Sequence, residues 1–143
     1  MPSHRSPVRS AWAWIWASPA TALGLVVAAV CVAGRGRIRR RDGVFEVRDG
    51  WARVALERWV PIRGGAEALT LGHVILGRSE EALRRFAAHE RVHVRQYERW
   101  GPFFLPAYAC ASLWAWTLGG DPYLDNVFER EAHALTRRPR DKV

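Results

Sequence analysis

Residues 11–33, AWAWIWASPATALGLVVAAVCVA, carry no charged side chain. A helix of about 20 apolar residues crosses the hydrocarbon core of a bilayer, so this run predicts a transmembrane helix. Trp12, Trp14 and Trp16 gather at one end, as residues at a membrane interface do. Ser18-Pro19 suits the cap and first turn of the spanning helix proper. A cleaved signal peptide would want a shorter apolar core and no stop-transfer charge behind it. Here Arg35, Arg37, Arg39, Arg40 and Arg41 follow the run, and only Arg5 and Arg9 precede it. By the positive-inside rule the rest of the chain is then cytoplasmic. The expectation is a single-pass membrane protein in three parts. Residues 1–34 are a tail and transmembrane anchor, 35–43 an Arg-rich juxtamembrane linker, and 44–143 a small folded domain.

The net charge of +8 invites a nucleic-acid partner, but its distribution argues against one. Residues 1–41 hold seven arginines and no acid, which leaves only +1 for residues 42–143. A nucleic-acid binder needs its basic residues on the folded domain. Arginines flanking an apolar run point to a lipid bilayer instead. The two cysteines, Cys31 and Cys110, each lie in an apolar segment and read as buried thiols, with no metal clip or disulfide framework.

In the folded part, Val44–Arg48 and Trp51–Leu56 flank Asp49-Gly50, a two-residue hairpin signal. Trp51–Trp59 reads equally well as a short helix. Ala68–Leu76 (ALTLGHVIL) reads as one strand. Ser79 caps a helix with Glu80 and Glu81 in its first turn, and the helix stops at Gly101-Pro102. The apolar stretch Pro102–Leu118 follows. Asp121-Pro122 then marks the start of a last helix that stops before Pro139. Strands first and helices after make the class α+β.

The chemistry concentrates in His89-Glu90-Arg91-Val92-His93, an H-E-x-x-H pattern. On a helix, residues four apart share a face, so His89 and His93 can aim two imidazoles at one ion. Zinc accepts neutral imidazole in tetrahedral geometry. Glu90 is turned about 100° away by the helix pitch, near the ion without binding it, where it can take a proton from a water. A catalytic zinc wants a third protein ligand and one open position. The candidates are Glu129, Glu131 and His133 in the last helix. Helical projection puts Glu131 in line with Leu124, Val127, Phe128 and Leu135, and Glu129 beside that line.

H-E-x-x-H at 89–93, followed about forty residues later by a helix reading F-E-x-x-A, is similar to the gluzincin zinc metallopeptidases, in particular their minimal versions. The resemblance covers about residues 68–137. It implies a zincin-like domain, a short sheet with about three helices, binding Zn2+ through His89, His93 and Glu129. It also implies Glu90 as general base, and a strand near 68–76 that binds peptide by adding a strand. The second helix of that family commonly reads E-x-x-A-D; here Glu129-Arg130-Glu131-Ala132-His133 has His133 where the Asp would stand.

Other residues have plainer roles. Gln96, seven after His89, lies on the site face but reads more simply as a solvated or capping side chain. His73, Tyr97 and Tyr123 could each steady an oxyanion, though a structural role is the simpler reading of each. Arg84, Arg85, Arg91, Arg95 and Arg99 read as a solvated helix face. Were Pro102–Leu118 to span a membrane, His93 and Glu129 would lie about 30 Å apart, yet ligands of one ion each sit about 2 Å from it. That stretch is therefore expected to pack beneath the site or rest on the membrane surface. The combined expectation is a membrane-anchored zinc metallopeptidase acting on peptides or proteins. The alternative is a non-catalytic, membrane-tethered interaction module whose zinc is structural or vestigial.

Overall fold

A computed structural model describes residues 7–137; Arg5 and Pro139 fall outside the described residues. The chain opens with helices α1 (Pro7–Trp16) and α2 (Ser18–Ala33), then strands β1 (Arg37–Arg41) and β2 (Val44–Arg48). Helix α3 (Gly50–Arg58) leads to strands β3 (Ala68–Leu71) and β4 (Val74–Gly77). Helix α4 (Glu80–Trp100), a 3-10 turn, α5 (Phe104–Thr117) and α6 (Val127–Thr136) complete it. The α+β class stands.

The anchor does not. No described helix is long and apolar enough to cross a membrane, so the transmembrane helix and the single-pass, cytoplasm-facing location built on it are withdrawn. The uncharged run breaks at Ala17 into α1 and α2. Its inner stripe of Ala17, Ala20, Thr21, Gly24, Ala28 and Cys31 is buried, at the i, i+3, i+4, i+7 spacing of a helix face packed on a core. At Gly24 the approach is closest: a Cβ there would lie 2.6 Å from the Leu71 carbonyl oxygen.

The arginine stretch is likewise no linker. Arg37–Arg41 pairs antiparallel with β2 as an edge strand, where long cations discourage edge-to-edge pairing. The hairpin turn is Asp42-Gly43, both at positive φ, as a two-residue turn requires. Asp49-Gly50, the pair expected to make a hairpin, instead enters α3. The expected single strand 68–76 is two, β3 and β4, folded back on each other at Gly72-His73.

The sheet order is β1-β2-β4-β3, with β2 and β4 parallel and the other pairs antiparallel. Alternation along the strands divides its two faces. Val47, Val74 and Leu76 pack under α2 and α3 with Ala28, Cys31, Ala52 and Leu56. Val44 and Ile75 pack against Leu83 and Val94 of α4 on the opposite face. Buried Glu46 joins α4 to the sheet through Arg39 at 2.6 Å and Arg91 at 3.5 Å. A third cluster of Tyr97, Phe104 and Phe128 binds α4, α5 and α6 together with Ala17 and Ala20. The sheet thus has helices on both faces, and β3 is left as an edge beside α4.

Candidate metal centre

Ser79 starts α4 as expected, accepting a hydrogen bond from the Ala82 N–H at 3.1 Å. Two buried stripes then run down the helix. His89, His93 and Gln96 face α6, while Glu90, Val94 and Tyr97 face the sheet. The offset between adjacent helical positions therefore sends the imidazoles to one neighbour and the carboxylate to another.

The third group comes from α6. That helix begins later than expected: Asp121-Pro122 forms a turn, with Asp121 Oδ1 accepting from the Tyr123 and Leu124 N–H groups. Asn126 is the true cap, its Oδ1 accepting from the Phe128 N–H at 2.9 Å. Its Nδ2 donates to the Tyr108 carbonyl and the Ser112 hydroxyl. One side chain thus starts α6 and fastens that start to α5, which sets where Glu129 enters.

Glu129 is 3% exposed. Its Oε2 lies 3.0 Å from His89 Nε2, its Oε1 3.3 Å from His93 Nε2, and the two Nε2 atoms are 3.2 Å apart. Ligands about 2.0–2.1 Å from a tetrahedral ion are separated by about 3.3–3.4 Å. These three residues therefore bring together donor types and a spacing compatible with one tetrahedral metal ion. Glu131 is elsewhere, accepting from Gln96 Nε2 at 2.7 Å and from Arg99. The projection that aligned it with a core misled because Leu124, Val127 and Leu135 are exposed, while Phe128, Glu129 and Ala132 are buried.

Supporting contacts hold each group. Gln96, 1% exposed, is no solvated side chain: its Oε1 accepts from His93 Nδ1 at 2.8 Å, and its Nε2 donates to the Phe128 carbonyl. That places a His93 proton on Nδ1 and turns Nε2 toward His89 and Glu129, as an outer partner would orient a ligating histidine. Tyr108 Oη donates to Glu129 Oε1 at 2.7 Å. The register of β3 on β4 pairs Thr70 with Ile75, on the face toward α4, and Thr70 Oγ1 donates to Glu90 Oε2 at 2.6 Å. Tyr97 Oη donates to the Thr70 carbonyl. Thr70, Tyr108 and Asn126 carry no local motif that marks them. Asn126 stands three residues before Glu129, a residue type suited to a helix cap.

Of the oxyanion candidates, His73 is engaged with other groups. It stacks on Trp14 and contacts Thr21 and Glu98. The Tyr97 hydroxyl is engaged with Thr70. Tyr123 lines the cavity beside Glu90 and Glu129. Cys31 is buried as expected, but Cys110 is exposed.

Electrostatics follow from burial and proximity. Burial raises the Glu90 carboxyl, with the His93 charge and Thr70 opposing, so it is a stronger base than a surface glutamate. Burial opposes the ionisation of Glu129, yet hydrogen bonds from His89, His93 and Tyr108 prevail and hold its carboxyl well below the usual range. Burial pulls His93 down, but the Glu129 hydrogen bond and the Glu90 charge push it up to about 9. Metal-free His93 is therefore protonated at pH 7, whereas zinc takes neutral imidazole. Metal uptake at pH 7 is expected to release about one proton, with affinity rising until His93 loses its proton near about 9. Calorimetry in buffers of different ionisation enthalpy counts that proton; a count of zero would contradict this. Gln96→Leu is expected to weaken zinc affinity about 10- to 100-fold, read by competition with a chromophoric chelator.

A cavity of about 380 Å³ opens beside the triad, lined by Glu90, His93, Tyr123 and Glu129, by Thr70, Tyr97, Tyr108 and Ser112, and over most of its surface by apolar groups, among them Val60, Ile62, Leu69, Leu71, Phe104 and Leu105. A smaller one of about 190 Å³ meets His89, Glu90 and Tyr123 from the other side. Ala68 of the edge strand borders both. His133 is exposed, its ring centroid 4.6 Å from that of His89. Its imidazole lies with ligand atoms of His89 and Glu129 within 4.8 Å of one another, a looser set than the one with His93. No family model, curated protein or solved structure matches this chain.

Proposed function

We propose that this protein is a zinc-dependent peptidase, with His89, His93 and Glu129 holding the ion and Glu90 as general base. The observation that carries the proposal is the convergence of His89 Nε2, His93 Nε2 and the two oxygens of the Glu129 carboxylate, in contacts of 3.0–3.3 Å, with the buried Glu90 on the same cavity. Zinc bound there would polarise a substrate carbonyl and acidify a water. Thr70 holds one Glu90 oxygen and leaves the other to take the proton of the attacking water. Glu90 then hands that proton to the departing amine. Tyr123 presents a hydroxyl that burial and the nearby Glu129 charge keep protonated, suited to donate to a developing oxyanion.

The substrate class follows from the surroundings. An extended peptide can pair with edge strand β3 and place a side chain in each of the two cavities. The apolar lining of the larger one favours a bulky hydrophobic side chain. The zinc-loaded chain is expected to cleave an unstructured peptide library next to hydrophobic residues. Chelation should stop cleavage and zinc should restore it. A zinc-loaded chain that cleaves nothing in the library would overturn the proposal.

A second reading has one observation behind it, the proximity of His133 to His89 and Glu129. As a fourth ligand His133 would close the site and make the zinc structural. Burial and the neighbouring His89 lower its proton affinity, which suits a neutral ligand. Removing His133 distinguishes the two: a closed site loses affinity and an open one keeps it.

A further inference from the structure

The residues that make the uncharged run look like a membrane span have a second face. Residues 10–34 and 100–120 contain no charged side chain, and they meet where Trp16 packs on Phe103 with ring centroids 6.1 Å apart. Their inner stripes are buried, but their outer ones are not. On α2 the outer face carries Leu23, Val26 and Val30, and on α5 it carries Leu113, Trp114 and Trp116, all exposed. Trp12 is 68% and Trp116 63% exposed. A helix that is apolar all round is normally covered on every side. Exposed apolar side chains gathered on one face mark an interaction site.

We propose that this face rests on an anionic lipid surface, held at the interface without crossing it. Tryptophans prefer the headgroup level, where the ring is half in hydrocarbon and half in water. Arginines begin where the first apolar segment ends, at Arg35, Arg37, Arg40 and Arg41, and these four are exposed. Apolar burial plus attraction of a basic rim to anionic headgroups is the combination that seats a monotopic protein. A second copy fits less well. Each chain carries +8, so pairing these faces would bring two basic rims together.

The test is co-sedimentation of the full chain with phosphatidylcholine vesicles containing phosphatidylglycerol, and with phosphatidylcholine alone. Binding is expected with the anionic vesicles and weaker binding without them. Trp12→Glu and Trp116→Glu are each expected to reduce partitioning about tenfold or more. Trp59→Glu makes the same change at a site 80% exposed but next to Glu57 and Arg58, and is expected to bind as wild type does. Circular dichroism checks that the variants fold. Absence of wild-type binding, or equal loss in all three variants, would overturn the proposal. So would a doubled mass by light scattering that Trp12→Glu and Trp116→Glu abolish without any vesicle binding, which would assign the face to a second copy.

Discussion

Glu90→Gln is expected to keep its zinc and lose its turnover. The amide has the shape of the carboxylate and can still accept from Thr70 Oγ1, which now lies 2.6 Å from Glu90 Oε2. It cannot accept a proton from water at neutral pH. The three donor atoms of the metal centre belong to other residues, so zinc content should stay that of wild type. A positioned general base contributes about 10²–10⁴-fold, so kcat should fall about 10³-fold with KM little changed. Stopped assays with elemental analysis on the same preparation read both quantities. Undiminished hydrolysis would reject the mechanism while leaving the metal centre intact. Thr70→Val removes only the group that holds Glu90 and should give a smaller loss of kcat, up to about 10²-fold. Thr70→Ser should restore most of it.

Glu129→Ala is expected to lose the metal. Glu129 supplies an oxygen to each imidazole and is itself held by Tyr108. Without it two histidines on one helix remain, which is fewer than the three protein ligands a catalytic zinc takes. The fall in affinity should exceed the about 10–100-fold that loss of an outer partner costs. Glu131→Ala is the control. That carboxylate binds Gln96 and Arg99 at the edge of the helix pair, so affinity should stay within about tenfold of wild type. Chelator competition on both variants decides between the two glutamates. Metal kept by Glu129→Ala and lost by Glu131→Ala would mean that α6 presents a different face to α4.

What could be read in the sequence was local. Ser79 announced its cap, and His89, Glu90 and His93 were legible because helix geometry alone relates them. The choice of Glu129 came from resemblance, because projection pointed to Glu131. That projection treats every apolar residue as inward-facing, yet Leu124 in the turn before α6 and Val127 and Leu135 on α6 are exposed. The same assumption produced the transmembrane helix. The run 11–33 is apolar on both sides, and length cannot tell lipid from a sheet. The small residues Ala17, Ala20, Gly24 and Ala28 on its inner side were the available sign, since close backbone packing needs them and lipid does not. Thr70, Gln96, Tyr108 and Asn126 act across elements, through partners 14 to 32 positions away. No window along the chain contains both ends of such a contact.

The proposed mechanism needs a zinc centre with two imidazoles, one carboxylate and an open position. X-ray absorption at the zinc edge, on the zinc-loaded full chain beside His133→Ala, tests it most directly. Two imidazoles and oxygen ligands are expected around each bound zinc, in wild type and variant alike. Failure of the wild type to hold zinc would contradict the centre itself. Three imidazoles in the wild type, falling to two in His133→Ala, would contradict the open position and leave a closed structural site.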